Sequence, residues 1–143
     1  MPQAERTVTI QRSIDDVFAF FTDFDNDRKW RPHLKEVVAP AEVRNGSTVR
    51  QVLVGPGGRD IRADFEITAF DRPSLVAFTV IAGPVRPLGR FRFAPAGSGT
   101  EVTFSLQAHL GGIKGLFMSK PVQKSMDSQM AALDKAKALL ESS

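Results

Sequence analysis

The clearest pattern of apolar and polar positions lies at the end of the chain. After Pro121 there is no further Gly or Pro, and Val122, Met126, Met130, Leu133, Ala136 and Leu140 recur at steps of three and four. That spacing predicts a long helix with one apolar stripe, its charged residues Lys120, Lys124, Asp127, Lys135 and Lys137 turned mostly elsewhere. Within Gly111–Ser143, Pro121 lacks an N–H and its ring crowds the carbonyl of Phe117, so a kink or a fresh helix start is expected there. A wide apolar stripe must be buried, and the large partner available to it is a sheet.

The start of the chain supplies a second, shorter helical segment. Thr7–Arg12 alternates and reads as a first strand, after which Ser13 caps a helix. Asp16 stands three residues beyond Ser13, as in an acidic variant of the capping box, and Asp15 adds charge near the positive end of the dipole. Ile14, Val17, Phe18, Phe21 and Phe24 form its stripe, which carries the helix to about Thr22. The polar stretch Asp23–Lys29 allows a turn or a short second helix, stopped at Trp30-Arg31-Pro32, where proline biases Arg31 towards extended backbone.

From there to Leu110 the period is two. Strands are predicted at His33–Glu42, Thr48–Gly55, Arg59–Phe70, Leu75–Ala82, Leu88–Pro95 and Glu101–Leu110, separated by turns rich in Gly, Pro, Asn and Asp. The short connections favour antiparallel hairpins. Ile61, Ala63, Phe65, Ile67 and Ala69 share one face, opposite Arg62, Asp64, Glu66 and Thr68; Val102, Phe104, Leu106 and Ala108 do the same opposite His109 and its polar neighbours. Arg90 and Arg92 point outward if Phe91 and Phe93 point inward. One face of the sheet is therefore apolar and the other wet, as in an α+β chain whose helices cover one side.

The opening Val8-x-Ile10-x-Arg12-Ser13-x-x-Asp16-Val17-Phe18, the Trp30-x-Pro32 that follows and the long closing helix resemble the START-like or SRPBCC superfamily, closest to its polyketide cyclase/dehydratase-like branch. The resemblance covers nearly the whole chain and implies a single START-like domain over residues 1–143. It implies a helix-grip fold: a curved antiparallel sheet of about six to seven strands around the C-terminal helix, with two short helices after the first strand and a deep cavity between sheet and helix. Members of that superfamily bind lipids, sterols, polyketides or other apolar molecules, and some are enzymes, so fold analogy leaves the activity open.

Composition narrows the chemistry. The chain has 143 residues, no Cys, no Tyr, eleven Phe and one Trp. No cysteine means no disulfide or thiolate chemistry, and fits the cytoplasm. Met1–Arg6 is expected not to be a leader, and no apolar run approaches the roughly 20 residues that span a bilayer. Nineteen basic against sixteen acidic residues, scattered, point away from nucleic acid. No nucleotide-binding or hydrolase motif is present, and the two histidines lie too far apart for a metal pair, so neither cofactor nor metal is expected. Gly55-Pro56-Gly57-Gly58 reads as a hairpin turn.

What remains is an apolar lining. Phe65, Phe78, Phe91, Phe93, Phe104 and Leu106 from the strands face Phe117, Met118, Met126 and Met130 from the closing helix. Gln51 and Gln129 are amides able to orient a carbonyl or hydroxyl but not to act as acid or base. Trp30 reads as a corner anchor or a pocket wall, and His33 as a strand start or a polar contact at the mouth. Arg28, Lys29, Arg31 and Lys35 make a basic patch, either a solvated surface or an attraction for an acidic head group or membrane. No acid or arginine is visibly carried inward, so no catalytic residue is assigned.

The primary expectation is binding of a small hydrophobic ligand such as a lipid, isoprenoid or polyketide, by a monomer or weak homodimer with room for transient membrane contact. The alternative is a polyketide cyclase or dehydratase acting without metal in the same cavity. A plain closed core and a protein-interaction role through the wet sheet face stay open beside them. Gly112–Lys120, with Ile113, Leu116, Phe117 and Met118 beside glycines, is expected to form a movable gate with the Gly55–Gly58 turn.

Overall fold

The computed structural model describes residues 2–143, except the side chains of Pro56 and of residues 113–116. Among the described residues, eight strands form one antiparallel sheet: β1 (Gln3–Ile10), β2 (Leu34–Val38), β3 (Thr48–Val54), β4 (Asp60–Arg62), β5 (Phe65–Asp71), β6 (Leu75–Val80), β7 (Leu88–Ala96) and β8 (Gly99–Gln107). Their order is β1-β8-β7-β6-β5-β3-β2, with β4 paired to β3. The helices are α1 (Ile14–Thr22), α2 (Asp27–Trp30), α3 (Gly112–Ala131) and α4 (Leu133–Glu141).

Cross-strand register carries one apolar row after another around the inner face. Phe65 pairs with Val80 and Ile67 with Phe78; Val76 pairs with Phe91, which pairs in turn with Phe104. Leu106, Phe104 and Val102 pair with Ala4, Arg6 and Val8 of the edge strand β1. Arg90 and Arg92 are exposed, as alternation predicts. Gly89 is needed where it stands, because a Cβ there would lie 2.3 Å from the ring of Phe78.

Alternation fails at one place. The strand expected over Arg59–Phe70 is broken between β4 and β5 at Ala63 and Asp64, both buried. Asp64, expected to face water, accepts a hydrogen bond from the backbone N–H of Gln51 at 3.2 Å and is ion-paired with Arg62. A bulge between Ile67 and Ala69 then shifts the inward position from Ala69 to Phe70, whose ring meets Phe18 at 5.4 Å. Strand ends move too. β1 begins at Gln3, β2 stops at Val38 and β8 stops at Gln107, which leaves exposed His109 in the loop beyond it.

The six stripe residues predicted for the closing helix are all buried, between Leu133 at 0% and Val122 at 9% exposure. The break is not at Pro121, which is exposed and sits inside a continuous α3; it falls at Ala132, between α3 and α4. Two arginines of the first strand region meet the two helix ends. Arg6 Nη1 donates to the carbonyl of Met130 at 3.0 Å and its Nη2 to Asp134 at 2.6 Å. Arg12 Nη1 donates to the carbonyl of Leu140 at 2.7 Å and also reaches Ser143. Carbonyls that a helix end leaves unpaired thus receive cationic donors, where the dipole also favours positive charge. Gln123 completes the seam: its amide both accepts from the N–H of Gln3 and donates to the carbonyl of Gln3, covering part of the free edge of β1.

Candidate functional site

The concave side of the sheet is lined by aromatic rings that touch one another. Phe91 and Phe104 stack at 4.2 Å with 9° between planes, and Phe21 sits 5.1 Å from Phe91. Phe18 meets Phe93 edge-on at 5.2 Å, while Phe65 joins Phe24 to Phe78. α1 supplies Phe18 and Phe21 because Ser13 starts it in the right place, its side chain accepting from the N–H of Asp16. The Asp16 carboxylate itself turns to Arg12, so the expected capping box is half formed.

Trp30 ends α2 against this surface, 3% exposed and edge-on to Phe21, Phe91 and Phe104. Met126, Met130 and Leu106 are buried as well, and Phe78, Leu53, Met118 and Gln129 are only half-buried.

A polar cluster is set into this apolar wall. Arg31 follows Trp30 in extended backbone, as its proline neighbour dictates, and its side chain turns inward. Nη1 donates to Asp27 Oδ2 at 3.2 Å and to Gln51 Oε1 at 2.9 Å; Nη2 donates to Gln129 Oε1 at 3.3 Å. One guanidinium therefore ties α2, β3 and α3 together. The Arg31 and Asp27 side chains are only 11% and 6% exposed.

Burial pushes the Asp27 carboxyl up to about 6; Arg31 opposes that shift by charge and hydrogen bonding, and the indole N–H of Trp30 opposes it more weakly. Among the described residues the indole N–H has no partner within hydrogen-bonding geometry, so its effect on Asp27 comes from proximity. At neutral pH the cluster is an ion pair with two amides attached.

Two expected site residues are not part of this arrangement. His33 is exposed in a left-handed turn (φ 64°) and serves through its carbonyl, which accepts from Val54; its ring does not reach the cluster. Phe117 is 77% exposed and points away from the lining. The basic patch also divides: Arg28 and Lys29 are exposed, Lys35 pairs with Asp60, and Arg31 goes inside. Gly55–Gly58 forms the predicted turn between β3 and β4, whereas the side chains of Ile113 and Leu116 of the expected gate lie outside what the structure describes.

The expectation that no acid or arginine faces inward is corrected by Asp27 and Arg31. The signal available in the sequence was their spacing: an acid and an arginine four apart, straddling the single Trp just before a proline.

A separate open hollow of about 610 Å³ lies mainly on the outer face, along the row Glu5, Ser105, Arg90 and Ala77. It does not include Arg31, Gln51 or Gln129, and it has no convergent buried polar group. Two of the expected ligand contacts, Phe78 and Leu106, also border this hollow.

The model of the family described as polyketide cyclase/dehydrase and lipid transport matches residues 1–139. The chain belongs to that family. Among proteins of curated function, none matches the chain. Among solved structures, a protein of Thermus thermophilus is 23% identical with a TM-score of 0.80, covering 99% of this chain and 100% of its own. One domain's length of the di-domain ARO/CYC StfQ from the steffimycin biosynthetic pathway is 18% identical with a TM-score of 0.79, covering 98% of this chain and 50% of StfQ. A START superfamily protein from Mycobacterium smegmatis is 16% identical with a TM-score of 0.75, covering 98% of this chain and 97% of its own. The helix-grip architecture expected from Trp30-Arg31-Pro32 and the closing helix is thus the fold of this polyketide cyclase/dehydrase and lipid transport family member. The family's description spans chemistry and transport, and no described helix is long and apolar enough to cross a membrane.

Proposed function

We propose that this chain binds a small, mainly apolar molecule between the concave sheet face and the closing helix, with the ligand's polar end at Arg31, Gln51 and Gln129. The observation that carries this reading is the guanidinium held by acceptors from α2, β3 and α3 inside an aromatic wall. Small-molecule sites combine a predominantly apolar lining with a few fixed polar groups in this way. Lipid, isoprenoid and polyketide bodies all fit such a lining. Exposed Arg28 and Lys29 beside the site support transient contact with an anionic membrane surface, and the absence of cysteine supports a cytoplasmic location.

A second reading, cyclase or dehydratase chemistry on the same ligand, is favoured by one observation: Asp27 is brought to about 6 beside a cationic arginine. Binding is preferred because Asp27 is 4% exposed and engaged by Arg31, which suits it to hold the guanidinium and not to meet a substrate proton. Native mass spectrometry of freshly purified protein, with solvent extraction, tests the reading. A bound apolar small molecule is expected, and ligand at a hundredfold excess over Kd should stabilise the fold by about 2.7 kcal/mol. A bare protein mass, an empty extract and no stabilisation by apolar probes would count against it.

A further inference from the structure

Strand register brings several chain segments to one end of the sheet. Val49 pairs with Phe65 and Phe65 with Val80, while Thr79 pairs with Leu88, Leu88 with Gln107 and Gln107 with Gln3. Ile81 follows Val80, and Val54 lies further along β3 than Val49, so both stand past this row. α3 reaches the same end. Gln123 bonds to Gln3 and Met130 receives Arg6, so the helix runs in the direction of β1. At 1.5 Å per residue, Phe117 lies about 9 Å beyond the level of Gln123 along the helix axis. Four of the five large apolar side chains exposed among the described residues, Val54, Ile81, Leu88 and Phe117, are therefore gathered here. The fifth, Val38, lies elsewhere, opposite Arg50 on β2.

The charge at this end is of one sign. Arg59, Arg86 and Lys120 are exposed and make no ion pair among the described residues. The acid of the same turn, Asp60, is already paired with Lys35. The chain has no acidic residue from Arg72 to Thr100, nor from Val102 to Met126. On α3, Phe117, Lys120 and Lys124 follow one another along the outward side, opposite buried Val122, Met126 and Met130.

Apolar tips ringed by unpaired cations mark a contact surface, and the charge selects the partner. A second copy seated symmetrically on this end would set each cation against its own kind. An anionic bilayer takes both features, apolar side chains at the acyl boundary and cations among the phosphates. We infer that this end docks on an anionic lipid bilayer, with Phe117 and Leu88 entering it and Arg59, Arg86 and Lys120 meeting the headgroups. The inference builds on the membrane contact proposed above and moves its main surface from Arg28 and Lys29 to the strand ends.

Co-sedimentation with vesicles tests it. The protein should bind vesicles of equal parts phosphatidylcholine and phosphatidylglycerol, bind phosphatidylcholine alone far more weakly, and be released by about 0.5 M salt. Phe117→Ala should lower the partition coefficient about tenfold. Arg86→Gln/Lys120→Gln should lower it about thirtyfold, at about fivefold for each cation. All three side chains are exposed, so these variants should melt with the wild type. In Phe117→Trp the new indole should be quenched by lipids brominated along the acyl chain, while the buried Trp30 of the wild type should not. Loss of binding in Arg28→Gln/Lys29→Gln, with full binding by Phe117→Ala and Arg86→Gln/Lys120→Gln, would overturn this surface and leave the membrane contact standing. No binding of the wild type to anionic vesicles, or self-association abolished by Phe117→Ala in its place, would overturn the membrane contact as well; the ligand-binding role is judged separately by its mass spectrum.

Discussion

The Asp27 carboxylate accepts a hydrogen bond from Arg31 Nη1 at 3.2 Å, one helical turn along the chain, with both side chains almost sealed from water. This pair decides whether the concave face of the sheet carries a net charge, and it sets the first two predictions.

Asp27 titrates at about 6 in the folded protein against an ordinary 3.8. The folded state therefore holds a proton that the unfolded chain has already lost between those values. Stability from this group is fully present below about pH 4, falls as pH rises to about 6, and is level above that. The groups facing it are Arg31 and Trp30, which favour its charged form, and Asp23, which disfavours it. Denaturant unfolding of wild type and Asp27→Asn across pH 4–7.5 should show the wild type losing up to roughly 3 kcal/mol relative to the variant over that window. Parallel pH curves would contradict the burial of this carboxyl.

Arg31→Met should be far more costly than a surface arginine change, by about 3–5 kcal/mol at pH 7.5, because it leaves Asp27 buried without its cation. The loss should shrink in Asp27→Asn/Arg31→Met, where no charge is stranded. A double variant whose loss equals the sum of the two single losses would show that the two residues do not act as a pair.

Arg6 joins the first strand to the end of α3, donating to Met130 and to Asp134 across the break at Ala132. Arg6→Leu should cost about 1–2 kcal/mol, limited by the partial exposure of the ion pair. Amide hydrogen exchange should quicken in the last turn of α3 and the first of α4 while the sheet stays protected. Unchanged exchange there would mean that the helix break is held by packing alone.

These contacts also explain what could be read from the chain alone. The stripe from Val122 to Leu140 was legible because burial of a helix face imposes a period that any side chain must obey. The break at Ala132 was not, because the donor to the freed carbonyls is Arg6, 124 residues before Met130 in the chain; Pro121, the local signal, is accommodated at an exposed position. The aromatic lining was legible from alternation in β7 and β8, where pairing is regular. Asp64 was misplaced because the chain interrupts its strand between β4 and β5, which changes what faces inward. Arg31 was the largest omission. α2 is four residues long, too short to have a period, and a guanidinium enters an apolar wall only when acceptors from three elements meet it there.

Ligand is predicted to bind on the concave face at this cluster and not in the open hollow outside the sheet. Intermolecular nuclear Overhauser effects between 2-acetylnaphthalene and isotope-labelled protein test it most directly. Contacts from the acetyl methyl group to the side-chain amide protons of Gln51 and Gln129, with ring contacts to Phe91 and Phe104, are the predicted result. Contacts confined to Leu88, Arg90 and Gln107, which line the outer hollow, would contradict it.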